Sequence, residues 1–410
     1  MRNLSTTEVK VGLNFGAETI SVGRLAARGH EIYFEYDAIF IAQNIEISPL
    51  NLPLQAGVST FDRHLFEGLP GVFNDSLPDG WGRLLFDRFM RKQGILPNDL
   101  TPLDRLAHIG ALGMGALVFE PDYGFVEIGE TINLDMLAAQ SQEVLNGNSE
   151  DVLQELLALN GSSAGARPKA LISMDAAHQK ISHGARNLAS GYEHWLVKFA
   201  NSQDGNDAGA IEYVYALMAH EAGINMPDTH LFPAENGAGY FATKRFDRES
   251  DKRFHMHTAC GLLHSDFRTP SLDYEDLIAL TGHLTRDVRE IEKMFRLAVF
   301  NVLAHNRDDH SKNFSFLMND TGDWKLSPAY DLTFSSGPRG EQSTMVLGEG
   351  KKPTPDHLIK LGRDAQLSQS KIDTIIEQTR GALGRWQQLA TEFGVSQINI
   401  NLIGAKISGQ

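Results

Sequence analysis

The segment HNRDDHSKNFSF, residues 305–316, has an unusual density of charged and polar side chains. An arginine, two aspartates, a histidine, a lysine and two asparagines lie within residues 306–313, and a strand-like run follows. A capped, solvated turn after a helix would have a similar composition, and for the cluster taken alone that interpretation is about as good as a functional one. The residues around the cluster must therefore distinguish a reactive loop from a surface turn.

The spacing within this segment is typical of phosphoryl transfer. Asp308 and Asn313 are five residues apart, and Arg307 precedes the aspartate. Protein kinases have the same spacing in their catalytic loop, H-R-D-x-x-x-x-N, where Asn306 here takes the place of the histidine. In that loop the aspartate orients and deprotonates a substrate hydroxyl, and the asparagine binds a metal on the phosphates. We therefore expect Asp308 to be the catalytic base and Asn313 to be a metal ligand.

A second acidic metal ligand is expected close to Asn313. The segment FSFLMNDTGDWKLSPAYDL, residues 314–332, indicates a strand, a turn and a second strand, followed by Asp331. Such a hairpin would return Asp331 to the side of Asn313, where kinases have the aspartate of their D-F-G motif. An Asx-turn after Ser327 and Pro328 is the alternative reading of this aspartate.

Two features upstream are suited to binding phosphate. The segment GSSAGARPK, residues 161–169, is a glycine-containing loop before a strand, and its amide groups can bind phosphate oxygens. Lys198 lies in the apolar strand HWLVKFA, where a buried lysine needs an anionic partner, and Glu212 of the next helix is one candidate. Each signal is weak alone, because the loop matches neither phosphate-binding glycine motif and Lys198 can lie at a strand edge. Their order along the chain is that of a kinase.

Composition narrows the class of protein. The chain has 410 residues, so we expect two or three domains, because single cores stop growing near about 250–300 residues. A net charge of −15 argues against a large basic nucleic-acid surface. The sequence contains no apolar run of about 18 residues, no signal-peptide core near its start and one cysteine, Cys260. We therefore expect a cytoplasmic protein without a membrane contact.

The order of the predicted elements favours an α+β protein. Strands dominate the first part, and helices such as 288–306 dominate the last part. Between them we expect helices at 82–94 and 210–224 and a hairpin with an Asn-Gly turn at 230–248. We expect a two-lobed protein-kinase-like fold with an additional strand-rich N-terminal subdomain and a larger helical C-terminal lobe. The expected domains are residues 1–125, residues 126–250 with the phosphate loop and hinge, and residues 251–410 with the catalytic loop.

Several motifs resemble the HipA family of bacterial serine/threonine toxin kinases. RDDHSKNFSF and WKLSPAYDL are close to that family's D-x-H-x-K-N-F-S and L-[ST]-P-x-Y-D patterns. SSAGARPKA resembles its S-x-A-G-A-x-x-K loop, KRFDR its R-F-D-R segment, and GVFNDSLPDGWGR its N-terminal subdomain. The resemblance covers about residues 10–390.

This resemblance implies a type II toxin-antitoxin kinase. Its activity would be ATP- and Mg²⁺-dependent phosphorylation of a protein target, and an aminoacyl-tRNA synthetase is one candidate, whose inactivation stalls translation and growth. Family members autophosphorylate a serine in the glycine-containing loop, which ejects the loop and silences the enzyme. A helix-turn-helix antitoxin is the expected partner, and DNA would be contacted only indirectly, through that antitoxin.

The resemblance also implies roles for individual residues. Asp308 would be the catalytic base, Asn313 and Asp331 would hold Mg²⁺, and Lys198 would contact the nucleotide phosphates. The remaining nucleotide-binding positions are Ala164, Gly165, Ala166, Arg167 and Lys169 in the phosphate loop, Lys244, Arg245 and Phe246 in the adenine hinge, and His310 and Lys312 in the catalytic loop. Ser162 falls on the family's autophosphorylated serine, and Ser163 is a close second.

One departure and three alternatives accompany this interpretation. Arg167-Pro168 replaces the Gln-Glu of better-known members, so the loop has one N–H donor to phosphate fewer and the identity of the target stays open.

A metal-dependent phosphohydrolase or nuclease would use Asp308, Asp309, His310 and Asp331. A non-catalytic pseudokinase is the second alternative, and a zinc site in FHMHTACGLLH is the third. The residues of that zinc site would be His255, His257, Cys260 and His264. The segment 333–350, where kinases have their activation loop, is expected to be mobile.

Overall fold

The structure is a computed structural model that describes residues 6–124, 132–147, 153–160, 165–184, 188, 190–201, 205–269 and 271–407, with the backbone alone for 153–155. The strands are β1 Glu8–Asn14, β2 Thr19–Arg28, β3 Glu31–Tyr36, β4 Val58–Thr60, β5 Leu117–Glu120, β6 Lys169–Asp175, β7 Ile181–His183, β8 Tyr192–Lys198, β9 Thr229–Phe232, β10 Tyr240–Lys244, β11 Arg248–Glu249, β12 Lys252–Arg253, β13 His255–Thr258, β14 Leu272–Asp273, β15 Ser315–Met318, β16 Trp324–Leu326 and β17 Thr344–Met345. The helices are α1 Ala38–Ile41, α2 Gly71–Asn74, α3 Gly80–Lys92, α4 Pro102–Ile109, α5 Leu134–Leu145, α6 Leu153–Asn160, α7 Ala208–Glu221, α8 Ala259–Leu263, α9 Tyr274–Thr285, α10 Val288–Leu303, α11 Pro355–Asp364, α12 Gln369–Leu383, α13 Trp386–Glu392 and α14 Gln397–Ile407.

The N-terminal region is built on an antiparallel sheet in the order β4-β3-β2-β1-β5. Alternate residues of β1, namely Val9, Val11 and Leu13, are buried, while Glu8 and Lys10 are exposed. This period of two is what a sheet with one solvated face requires. The expected strand-rich N-terminal subdomain is thus present.

A second antiparallel sheet, in the order β7-β6-β8-β10-β9, carries Lys169 and Lys198 on its neighbouring strands β6 and β8. β9 and β10 form the hairpin predicted around the Asn-Gly turn, and α7 is the helix predicted for 210–224. Trp81, Leu85 and Phe86 of α3 share a buried cluster with Ala170 and Trp195 of this sheet. The first proposed domain therefore supplies a helix to the core of the second, and the boundaries at 125 and 250 stay a prediction.

The C-terminal lobe is mainly helical and presents the polar segment at the end of α10. The side chain of Asp287 caps α10 by accepting the Arg289 amide, and the apolar face of the helix includes the buried Phe295 and Val299. β15 and β16 pair antiparallel, so the hairpin predicted before Asp331 is confirmed. The architecture is α+β, with a strand-rich N-terminal part and a helical C-terminal part, as predicted. None of the helices in the described ranges is both long and apolar enough to cross a membrane.

The segment after Asp331 differs from the mobile loop expected from its composition. Gln342, Ser343 and Thr344 are buried, and β17 pairs in parallel with β14. The Asp273 carboxylate, at the end of β14, accepts the amides of Leu347 and Gly348. Hydrogen bonds therefore fix much of this segment, although it is rich in Ser, Thr and Gly.

Candidate active site

Three charged side chains from three elements meet at the centre of the site. Lys198, the last residue of β8, contacts Glu212 of α7, and its Nζ lies 2.5 Å from Oδ1 of Asp331. Glu212 is buried, and the Lys198 side chain is only 12% exposed. The pairing of Lys198 with Glu212, expected from the sequence as one candidate, is thus present. The structure also brings Asp331, 133 residues further along, to the same lysine.

The electrostatics of this trio keep Lys198 and Asp331 charged. Burial opposes both charges, yet the carboxylates of Asp331 and Glu212 raise the pKa of Lys198 above its usual value. Burial likewise opposes ionisation of Asp331, but Lys198 and Lys169 hold its pKa well below the ordinary carboxyl range. Burial raises the pKa of Glu212 despite the attraction of Lys198. The site therefore holds a fixed cation between two acidic groups.

Asp308 and Asn313 lie on the loop that follows α10. The Asn313 amide Nδ2 donates to the backbone carbonyl of Asp308 at 2.7 Å, so the two ends of the D-x-x-x-x-N motif are joined. Burial of its carboxyl and the nearby charge of Asp331 raise the pKa of Asp308, while His310 and Arg167 oppose the shift. A raised pKa suits a group that must accept a proton during catalysis.

The oxygens of Asn313 and Asp331 are suited to Mg²⁺. Because Nδ2 of Asn313 is used within the loop, its Oδ1 is the atom available to a ligand. Asp331 is only partly buried, and it binds Lys198 through Oδ1. Its backbone φ of 58° is left-handed, which is uncommon for a non-glycine residue and frequent at functional sites. Mg²⁺ prefers such carboxylate and amide oxygens.

The phosphate loop is described from Gly165 onward, so Ser162, Ser163 and Ala164 lie outside the described residues. The Gly165 amide donates to Asp79, and Arg167 lies 3.6 Å from Glu212. Lys169 is buried and pairs in register with Lys198 across β6 and β8. Burial and the charge of Lys198 lower the pKa of Lys169 to about 8. Two lysines and an arginine thus converge on the loop where anionic phosphates are expected.

The remaining predicted residues lie at differing places around the site. Lys312 forms a buried ion pair with Asp79. The His310 ring lies 5.3 Å from that of Phe267, and its buried Nδ1 has no partner among the described residues. Phe246 packs on Tyr330, with ring centroids 5.4 Å apart.

In the predicted hinge, side chains point to partners other than an adenine. Lys244 Nζ binds Glu193 at 2.6 Å, and Arg245 forms a buried pair with Asp247 at 2.8 Å. The backbone amides of Lys244 and Arg245 donate to the carbonyls of Asp228 and His194. A contact with adenine would therefore use other backbone groups of this segment.

Sequence reasoning missed the role of two aspartates. Asp79 lies in the stretch GVFNDSLPDGWGR, whose resemblance to the family's N-terminal subdomain assigned no role to this residue, yet it contacts both the phosphate loop and Lys312. Asp309, next to the expected base, is fully buried and accepts hydrogen bonds from Tyr274, Gln342 and the amides of residues 343 and 344. Asp309 therefore ties the segment after Asp331 to the catalytic loop.

Asp309 should give the protein a measurable pH dependence. Burial raises its pKa to about 7, whereas an unfolded aspartate titrates near about 3.9. Between these values the folded protein binds a proton that the unfolded chain does not, so stability falls as pH rises through this window. The slope from one such group is at most about 1.4 kcal/mol per pH unit. Asp309→Asn should remove it, as measured by urea unfolding from pH 5 to pH 8.

The matched control for this test is Asp320→Asn, an exposed aspartate in the β15–β16 turn. The difference between wild type and variant isolates Asp309 from the other titrating groups. Equal pH slopes in wild type and Asp309→Asn would contradict the assignment.

The alternative metal sites find little support in the geometry. His257 lies between Asp75 at 2.6 Å and Ser48 at 3.0 Å, and His255 binds the Ile47 carbonyl. Burial raises the pKa of the Cys260 thiol to about 12. Within the described part of the chain, no group of three or more His, Cys, Asp or Glu residues is arranged to hold a metal ion. These histidines join the N-terminal region to the helical lobe.

Comparison with known proteins gives the family of the chain. Residues 13–120 match the HipA N-terminal domain, and residues 161–386 match the HipA-like C-terminal domain. "Putative kinase Y4mE" and "Putative kinase Y4dM" of Sinorhizobium fredii are 24% and 27% identical over 223 and 215 residues. These alignments cover 49% and 47% of this chain and 53% and 51% of those proteins, so the chain spans about half the length of the curated relatives that it matches.

A solved structure has the same overall fold. The chain is similar to HipA from Shewanella oneidensis MR-1, solved as a toxin-antitoxin complex of HipA, HipB and operator DNA, with a TM-score of 0.69. The match covers 97% of this chain and 95% of that chain at 16% identity, and at this identity it bears on the fold alone. The C-terminal family match alone extends over more than half of the sequence. The chain therefore belongs to the HipA family.

Proposed function

We propose that this protein is an ATP- and Mg²⁺-dependent serine/threonine protein kinase of the HipA type. The observation that carries the proposal is the ion-paired Lys198 between Glu212 and Asp331, beside the Asp308–Asn313 loop. Phosphoryl transfer from ATP requires a lysine, an acidic residue on a helix and two side chains whose oxygens can bind a metal ion. The two relatives named as kinases agree with this proposal.

In this mechanism the chain mainly positions and neutralises charged groups. Lys198 and the amides of Ala166 and Arg167 would hold the phosphates, and Lys169 lies beside Lys198 on the neighbouring strand β6. Asn313 and Asp331 would hold Mg²⁺, which offsets the negative charge of the phosphates when it is bound. Asp308 would accept the proton of the incoming hydroxyl, and its raised pKa favours that transfer. Because the transition state of phosphoryl transfer is loose, positioning and electrostatics would supply most of the rate.

The same proposal includes a protein target and a partner. The target is a serine or threonine on another protein, and an aminoacyl-tRNA synthetase, whose modification would inhibit translation and growth, is one candidate. The relative solved with HipB and operator DNA supports a helix-turn-helix antitoxin as the partner. The net charge of −15 disfavours a DNA surface on this chain, so DNA would be contacted through that antitoxin.

Autophosphorylation gives a direct test. Purified protein incubated with γ-labelled ATP and Mg²⁺ should acquire phosphate on Ser162 or Ser163, as located by mass spectrometry. Chelation of Mg²⁺ should abolish the label, because Asn313 and Asp331 would then lack the ion that joins them to the phosphates. If the protein binds no Mg·ATP at all, the kinase proposal fails and a metal-dependent hydrolase becomes the better reading.

A further inference from the structure

Asp79 occupies the N-cap position of α3 without capping that helix. An aspartate at this position normally accepts a hydrogen bond from the second or third amide of its own helix. Here the side chain makes no such bond. Instead, Oδ1 accepts the amide of Gly165, and Oδ2 pairs with Nζ of Lys312. One carboxylate therefore joins three segments that are far apart in the sequence.

The first turn of α3 lies directly against the phosphate loop. The Trp81 amide donates to the Gly165 carbonyl at 3.0 Å, so both polar groups of Gly165 are held by residues 79–81. Gly80 has a φ of +43°, and a Cβ at this position would lie 2.6 Å from the Gly165 oxygen and 2.7 Å from the Cα of Ala166. Only glycine allows this approach, and the position of the loop therefore depends on α3.

Lys312 connects the same carboxylate to the catalytic loop. Its side chain is 7% exposed, and Nζ lies 4.8 Å from the centre of the Phe267 ring. Its backbone carbonyl accepts the Tyr330 hydroxyl at 2.5 Å. Since Lys312 precedes Asn313 and Tyr330 precedes Asp331, the placement of Lys312 is linked to both expected Mg²⁺ ligands.

The charges show why this carboxylate is compatible with a site for phosphates. Burial opposes ionisation of Asp79, but Lys312, the Gly165 amide and Lys169 together lower its pKa, so it is an anion at neutral pH. An unbalanced anion here would repel a nucleotide. Pairing with Lys312 neutralises that charge and leaves the contact with Gly165 intact.

We propose that Asp79 is a positioning residue for the nucleotide, which fixes residues 165–169 and Lys312 relative to each other before ATP binds. This inference rests on the proposed kinase function and adds to it a residue of the N-terminal region that touches no reacting atom. Without Asp79, ATP would have to order the loop and Lys312 itself, and part of its binding free energy would be lost.

The test combines hydrogen exchange with ATP kinetics in the full-length protein. In Asp79→Ala, amide exchange in peptides covering residues 165–167 should rise about tenfold without ATP, because the Gly165 amide loses its acceptor. KM for Mg·ATP should rise about tenfold with kcat changed less than about threefold, the pattern of lost ground-state binding. The control is Asp99→Ala, an exposed aspartate after α3, which should change neither quantity.

Lys312→Gln provides a second variant that leaves Asp79 in place. It should also raise exchange at residues 165–167, although Lys312 has no hydrogen bond or ion pair with residues 165–169, because an unpaired Asp79 is no longer fixed. The KM of the double variant should not exceed that of the single variant with the higher KM, since the two side chains act as one unit.

Three outcomes would overturn the inference. Unchanged amide exchange at residues 165–167 in both single variants would show that Asp79 does not fix the loop. Additive effects of the two substitutions on KM would show that Asp79 and Lys312 do not act as one unit. A fall in kcat with KM unchanged would place Asp79 in the chemical step instead. If wild type does not bind Mg·ATP, the kinase proposal itself fails. If wild type binds Mg·ATP normally and Asp79→Ala has no effect, only the role of Asp79 fails.

Discussion

Asp308→Asn should lower the rate of phosphoryl transfer by about 10²–10⁴-fold, the usual contribution of a positioned general base. The substitution keeps the size of the side chain and leaves the backbone carbonyl that holds Asn313 in place. The affinity for Mg·ATP should therefore stay within about threefold, because Lys198 and Asp331 are untouched. Labelled-phosphate incorporation measures the rate, and the shift in melting temperature with Mg·ATP measures binding.

The matched control is Asp320→Asn, which changes an exposed aspartate in the hairpin that follows the catalytic loop. It should incorporate phosphate at the wild-type rate. Normal incorporation by Asp308→Asn would show that another group accepts the proton. Loss of Mg·ATP binding in Asp308→Asn would show that this carboxylate belongs to the nucleotide site itself.

Lys198→Met should lower both the stability and the activity of the protein. The substitution removes the cation between Glu212 and Asp331 and leaves a buried carboxylate without its closest positive charge. Breaking such a buried pair from one side costs about 3–5 kcal/mol of the free energy of unfolding. Phosphoryl transfer should fall by about 10²–10³-fold or more, because a fixed positive charge at the phosphates is lost. Urea unfolding and labelled-phosphate incorporation measure the two effects.

Lys371→Met provides the comparison for stability. Lys371 pairs with Glu292 at 2.7 Å, but its side chain is 48% exposed, so its loss should cost about 0–1 kcal/mol. Glu212→Gln is informative as well, since it removes one partner of Lys198 and keeps the shape of the side chain. If Lys198→Met were as stable as Lys371→Met, the buried network would not be the stabilising feature described above.

Much of the local structure could be predicted from the sequence because its causes are local. The predicted helices at 82–94, 210–224 and 288–306 correspond to α3, α7 and α10, and the predicted hairpin before Asp331 is formed by β15 and β16. Apolar periodicity and turn residues act over a few positions, so they are readable in one segment at a time. The hydrogen bonds that hold the segment 333–350 could not be read from its composition, because their acceptors, Asp309 and Asp273, are distant from it in sequence.

The domain division shows a similar limit. The turn-rich segment before α3 and the helix itself suggested a place within the first domain, whereas the apolar face of α3 packs on the second sheet. Periodicity reports that a helix has an apolar face, and it does not report which surface covers that face. The surface that covers Trp81 is decided only when the whole chain packs into its tertiary structure.

The sequence by itself determined the local arrangement of the expected catalytic loop. A separation of five residues fixes the relation of Asp308 to Asn313, because a short loop has few conformations, and their amide-to-carbonyl contact follows from it. The tertiary structure alone decided which distant groups join them. Asp331 meets Lys198 across 133 residues, and Asp79 meets Lys312 across 233. Such contacts form only when burial of apolar surface brings the sheets and helices together, and no local pattern in the chain specifies that packing.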